Sequence, residues 1–219
     1  MCNLYAQTKS RDAVRSALAD VLRGAEVLVD SLGNAPVNTQ IWPDYSAPII
    51  RPHASGWQLT TARWGMPTPA VYLAGKRTDP GVTNLRNLSS SHWRPWLGVA
   101  HRCLVPFDAF SEPDTRPGAR RRPVWFGLGP DRPLGFFAGI RTEWTSVRKL
   151  KEGEVTTELF GFLTSAPNRL VAEVHPKAMP VILTTPADCR HWLTAPIGEA
   201  LQLQRPLPDD QLELIEDFA

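Results

Sequence analysis

From Arg102 onward the chain is built of short apolar runs: Cys103–Phe107, Val124–Leu128, Leu134–Ile140 and Leu159–Thr164. Each is too short for a buried helix and about the length of a strand. Met179–Leu183 adds a further buried strand. Trp57 to Gly65 alternates apolar and polar residues and ends in the turn-like Gly65-Met66-Pro67-Thr68-Pro69. Many short strands with few helices define an α+β chain whose sheet curls into a sandwich or an open barrel. At 219 residues, 42% of them apolar, it reads as one domain over 1–219 with a proper core.

The remaining segments fit around that sheet. Residues 3–7 read as a short extended segment that buries the start of the chain. Ser10 is placed to cap a helix in which Val14, Leu18, Val21 and Leu22 recur at helical spacing, with Gly24 as its stop. Residues 31–52, rich in Pro and Asn, read as loop packed by Trp42 and Tyr45. Residues 75–90 form a long polar loop, and long loops in compact domains are functional or disordered. Ser91–Leu97 and 168–174 read as short helices. Thr185-Pro186 opens another helix through Leu193, and the tail from Pro206 reads as an edge element. Arg116–Arg122 carries four arginines; we read it as a solvated hairpin tip rather than a DNA arm.

Charge and cysteine usage narrow the function. A net charge of +2 excludes a cationic coat for nucleic acid but leaves room for a local basic groove. Most of the eight Trp are expected to pack, with some left to form a stacking surface. Three widely spaced cysteines with no CxxC pair support neither structural zinc nor a disulfide framework. No cofactor or metal is called for. The N-terminus has no apolar h-region and no stretch approaches membrane-spanning length, which places the chain in a reducing cytoplasm, off the membrane.

Cys2 is the residue with the most distinctive chemistry. With Met1 removed it carries a free α-amine and a thiol on adjacent carbons, a 1,2-aminothiol. Such a group condenses with an aldehyde: the amine forms a Schiff base and the thiol closes a thiazolidine ring. The amine titrates near about 8 and the thiol near about 8.5, so both have nucleophilic fractions at neutral pH. The plain alternative is that Cys2 merely follows the start codon. Three further segments concentrate polar residues in apolar surroundings: Thr83-Asn84-Leu85-Arg86, then Phe110-Ser111-Glu112 straight after an apolar strand, then His175. Each has its own alternative. Glu112 could be a solvated turn carboxylate, His175 a structural histidine, Asn84 a turn residue and Arg86 a surface ion pair.

As a set they divide the labour of an amine–aldehyde condensation. A carbinolamine must lose water, so it needs a proton donor beside the reacting carbon; a Glu in a partly apolar pocket can supply and retrieve that proton. A His near neutral pKa can move the second proton or hold the opened sugar oxygen. An Asn amide can orient the terminal amine, and an Arg can hold a flanking phosphate.

These stretches resemble the SRAP family, the SOS-response-associated peptidases or abasic-site processing proteins. The likeness rests on Met1-Cys2, Ala62-Arg63-Trp64-Gly65-Met66-Pro67, Thr83 to Asn87, Arg102 to Pro106 with Phe110-Ser111-Glu112, Phe136 to Ile140, Phe162-Leu163-Thr164, and His175 with Met179 to Leu183. The resemblance implies a mainly antiparallel β pseudobarrel with flanking short helices. It also implies a groove for single-stranded DNA and a covalent bond between Cys2 and a ring-opened abasic sugar. By that likeness Cys2 is the nucleophile, Asn84 positions it, Glu112 is the acid/base and His175 assists. Arg86 holds DNA phosphate, and Trp64 supports or stacks. Asn3-Leu4, Ser111 and Pro113 depart from the common pattern; Arg141 and Lys177 are candidates to restore the lost positive charge. The implied partner is single-stranded DNA containing abasic sites, bound by a monomer that is nucleoid-associated when on DNA. Two other readings stand beside it: an N-terminal-nucleophile amidohydrolase or peptidase, and a non-catalytic single-strand-binding module.

Overall fold

The computed structural model of the chain describes residues 2–22, 27–33, 38–119, 122–216 and 218. The chain opens with β1 (Leu4–Gln7) and helix α1 (Arg11–Leu22), then β2 (Val27–Asp30), β3 (Asn38–Ile41), β4 (Ser46–His53) and β5 (Gly56–Trp64). A long connection leads to β6 (Asn84–Leu85), followed by β7 (Arg102–Phe107), β8 (Ala109–Pro113), β9 (Pro123–Gly127), β10 (Gly135–Val147) and β11 (Glu154–Ser165). Helix α2 (Arg169–Val174), β12 (Met179–Pro180), β13 (Ile182–Leu183), helices α3 (Pro186–Thr194) and α4 (Ile197–Ala200), and β14 (Glu213–Ile215) complete the chain.

Among the described residues the strands form two sheets. The smaller runs β14-β9-β8-β1-β3, and the larger runs β12-β11-β10-β7-β4-β5-β2, with β13 on β10 and β6 on β11. The larger sheet closes on itself. β5 pairs in parallel with β11 at Leu159–Arg63 and Phe160–Trp64, so β11, β10, β7, β4 and β5 make a complete circuit. Closure pairs the long strands on both sides and leaves only short strands such as β2 and β12 at an edge. The fold is therefore α+β, a strand pseudobarrel with a few short helices.

The two-residue period of a strand sorts the side chains. On β10, Phe137 faces inward while Phe136, Ala138 and Ile140 face outward; on β11, Phe160 and Phe162 face inward while Leu159 and Leu163 face outward. The inner cluster joins both sheets through Tyr5, Trp64, Phe107, Phe110, Phe137 and Phe162. Phe107 and Phe137 stack at 3.9 Å, and each buried ring contributes about 1.5–3 kcal/mol. The outer cluster receives α1 through Val14, Leu18, Val21 and Leu22, and α3 through Cys189, Trp192 and Leu193. The buried Arg102 guanidinium donates to the carbonyls of Leu97, Trp192 and Ala195, which satisfies the charge and the end of α3 together.

Several segments match their sequence reading: β1, α1 with the Ser10 hydroxyl accepting from Ala13 N–H, β5, α2, α3 with its Thr185 cap, and β14 at a sheet edge. Six of the eight Trp are buried, as composition led one to expect. The differences are instructive. Residues 31–52 are not loop throughout: they contain β3 and β4. Pro48 and Pro52 stand four apart in β4, so their missing N–H groups fall on one edge of the strand while the ladder to β5 runs its whole length. Trp42 and Tyr45 do not pack; they are 41% and 52% exposed. The 75–90 loop is tied down by β6 and by a Met66–Val82 bridge. Ser91–Leu97 contains only a 3₁₀ turn at Arg94–Trp96. Phe110-Ser111-Glu112 follows the apolar strand β7, as read, and itself lies inside a further strand, β8. Met179–Leu183 is split at Val181, which donates to Leu163 O and accepts from Ala138 N–H, switching partners from β11 to β10. Gly24, Arg120 and Arg121 lie outside the described residues. Among the described residues no helix is long and apolar enough to cross a membrane.

Candidate active site

Cys2 precedes β1 and is fully buried in the inner cluster. Its Sγ lies 3.5 Å from the Leu4 carbonyl, and its own carbonyl accepts a 2.8 Å hydrogen bond from Asn84 Nδ2. Burial, reinforced by the negative charge of Glu112, drives the thiol well above its ordinary pKa, so it rests neutral. Asn84 is held in turn. It sits in β6 opposite Phe162, its Nδ2 also donates to Thr83 Oγ1, and its Oδ1 is buried with no hydrogen-bond partner. An acceptor in that condition is an energetic liability of about 1–3 kcal/mol, which a hydrogen-bond donor on a ligand would relieve.

Glu112 reaches the same interior from β8. β1 and β8 pair at Leu4–Ser111 and Tyr5–Phe110, which brings Glu112 alongside the start of the chain, and Glu112 shares the inward face with Phe110. Burial pushes its carboxyl up to about 7. His175 caps the C-terminus of α2, its N–H donating to Val171 O, and its Nε2 lies 3.7 Å from Glu112 Oε2. Burial holds the imidazole below its ordinary pKa, helped by positive charge that includes Lys177. Near neutrality the pair therefore offers a carboxyl that can give a proton beside an imidazole that can take one.

The structure thus brings Cys2, Asn84, Glu112 and His175 into one buried cluster. The other sequence candidates are scattered. Arg86 is exposed beside it, on a groove of about 410 Å³ that Asn84, Tyr72 and Trp93 also line. Lys177 is exposed two residues beyond His175. Trp64 is fully buried, stacks on Phe160 and Phe162 and donates to Thr83 O, so it supports the Asn84 strand and has no free face for a base. Arg141 is occupied by Glu158 and the Ala100 carbonyl rather than presented to a ligand. One residue escaped the sequence reading: Tyr5, fully buried beside Cys2 and Cys103 with its hydroxyl unpartnered, its pKa pushed well up by burial. The signal was its inward register between Leu4 and Ala6, which belong to a separate cluster.

A closed strand circuit that buries a near-terminal cysteine against an amide, a carboxyl and an imidazole defines a class of pseudobarrel proteins with an N-terminal nucleophile candidate. Comparison with known proteins shows the family. The family model for SRAP, SOS response associated peptidase, matches residues 1–216, and the chain belongs to that family. A solved protein from Bordetella bronchiseptica is similar at 25% identity and TM-score 0.69, over 97% of this chain and 98% of that one. A protein from Bacteroides thetaiotaomicron shares the fold at 19% identity and TM-score 0.71, over 97% and 90%. A phage-related protein from Bordetella bronchiseptica does so at 20% and 0.65, over 98% and 93%. Among curated proteins none matches. Membership and fold together support an SOS-associated, peptidase-like function.

Proposed function

We propose that this protein captures abasic sites in single-stranded DNA by forming a thiazolidine between Cys2, freed of Met1, and the ring-opened sugar aldehyde. The observation that carries the reading is the hydrogen bond from Asn84 to the Cys2 carbonyl in a buried cluster shared with the Glu112–His175 pair. The amine of Cys2 adds to the aldehyde carbon and gives a carbinolamine. Glu112 protonates its hydroxyl, water leaves, and an iminium remains. The thiol then attacks the same carbon, passing its proton to the Glu112 carboxylate. A C–S bond forms, the carboxyl regains its proton, and the net change is aldehyde plus aminothiol to thiazolidine plus water. A thiol held neutral by burial suits this order, because the amine attacks first and the base becomes available only after dehydration. His175 steadies Glu112 and moves protons to or from the opened sugar. Arg86 and Lys177, at the surface nearby, hold flanking phosphates. A stacked, paired nucleotide would have to be extruded to reach so buried a residue, which costs a few kcal/mol and favours single strands.

Intact-mass measurement before and after incubation with an abasic oligonucleotide tests this. Loss of Met1 and a heat-stable adduct without borohydride are the expected results; no mass shift counts against the reading. Cys2→Ser keeps the amine, so a borohydride-trappable imine survives while the stable adduct is lost. The family's peptidase description favours a second reading, Cys2 attacking an amide carbonyl. Turnover of amide substrates by protein inert toward abasic DNA would select it.

A further inference from the structure

A second buried charge lies beyond this cluster, just past the end of β10. The Arg148 side chain is 2% exposed. Its Nη1 donates to the Gly65 carbonyl at 3.1 Å, its Nη2 to the Pro80 carbonyl at 3.3 Å and its Nε to Asp44 Oδ1 at 3.1 Å. Gly65 and Pro80 are the two sides of the neck of the connection between β5 and β6. Both neck glycines are shaped around the guanidinium: Gly65 and Gly81 have φ of +139° and +75°, and a Cβ on either would stand 2.3 and 2.2 Å from Arg148 Nη2. Asp44, the anchor, is gripped by Nε and Nη2 of Arg63, each at 2.6 Å, and by Lys149 at 2.9 Å, while its N–H donates to Trp64 O.

What lies beyond the neck is the site. From Gly81 the chain passes to Val82, hydrogen-bonded both ways to Met66. Thr83 follows, its carbonyl taking bonds from Trp64 Nε1 and Phe162 N–H, and then Asn84, which holds Cys2. We propose that Arg148 is a positioning residue for capture: by clasping both sides of the neck it sets the placement of Asn84 and so of Cys2. Its effect on rate rests on the function proposed above; the clasp itself does not.

The test uses Arg148→Met, which keeps volume and leaves Asp44 paired with Arg63 and Lys149. The expected result is covalent capture slowed on the order of ten- to a hundredfold at saturating abasic DNA. Affinity for the intact strand should stay unchanged, and amide hydrogen exchange should quicken at Met66 and Val82 relative to β10 and β11. Arg148→Lys, which keeps charge without the fork, recovers part of the rate. Wild-type rates, or unchanged exchange at Met66 and Val82, overturn the proposal; so does a rate loss that only tracks weakened strand binding. If the wild-type protein forms no adduct, the capture reading fails, yet the exchange data still decide the clasp. If the Met variant does not fold, Arg148→Lys carries the same readouts, since it keeps the buried charge and loses the fork that reaches both carbonyls.

Discussion

Two carboxylates of this fold, one fully buried and one partly buried, meet opposite fates. At Glu112 burial prevails and lifts the carboxyl to about 7. At Asp44 burial also pushes upward, but hydrogen bonds from Arg63, Lys149 and Arg148 overcome it and bring the group down to about 2. The contrast separates chemistry from scaffolding. A carboxyl lifted toward neutrality can exchange its proton during turnover, whereas one locked into a fork of cations stays ionised and can only brace. The two are linked through the chain, because the brace at Asp44 secures the neck that leads to Asn84.

The sharpest way to break this contrast is Glu112→Gln, which keeps shape and removes the proton. Adduct formation should fall about 10²–10⁴-fold, read on denaturing gels, while strand binding persists. Stability should respond as well. The folded carboxyl binds its proton more tightly than the unfolded one, whose pKa is 4.5, so wild-type stability rises as pH falls from about 7 toward 4.5. The gain is about 3 kcal/mol at most. His175 works against it below its ordinary pKa, since its lowered value means that the buried imidazole resists charging. Chemical denaturation across that window should show the Glu112 slope vanish in the Gln variant; an unchanged slope would overturn the assignment.

A smaller effect is expected at Asp44→Asn. Its ion pairs are partly solvent-screened, so the loss should be about 1–2 kcal/mol, seen as a lower denaturation midpoint at neutral pH. The sign is opposite to that at Glu112. A depressed carboxylate stabilises above its ordinary value and loses that contribution only as pH falls from 3.8 toward about 2. The pH profile of capture should therefore keep its shape in this variant even as its rate drops. The mildest change is Lys177→Ala. Removing one exposed positive charge beside His175 should let the imidazole pKa drift upward, visible by NMR titration, and the drift should shrink with added salt. No drift would mean that Lys177 does not act on the imidazole.

Much of the architecture could be read from local pattern. Phe137, Phe160 and Phe162 alternate with residues of a second cluster because strand geometry forces alternation. Ser10 and Thr185 announce their helices through short-range hydrogen bonds. β3 and β4 were hidden behind prolines, whose effect depends on which edge of the strand they fall, and β6 behind a polar loop whose two paired residues find β11 only in the folded chain. The candidate chemistry was visible as residue types, but Trp64 and Arg141 were not separable from true surface groups, because exposure is a property of the packed molecule.

The amino-acid order alone determined most of the strands and helices, which faces are apolar, and that an aminothiol-capable cysteine accompanies an Asn, a Glu and a His. Those follow from short-range periodicity and side-chain chemistry. Only the tertiary structure decided that residues up to 173 positions apart share one enclosure, and that a buried carboxyl is raised while a partly buried one is lowered. Proton affinity depends on dielectric surroundings and on neighbouring charge, and both exist only once barrel closure has excluded water and brought those neighbours together.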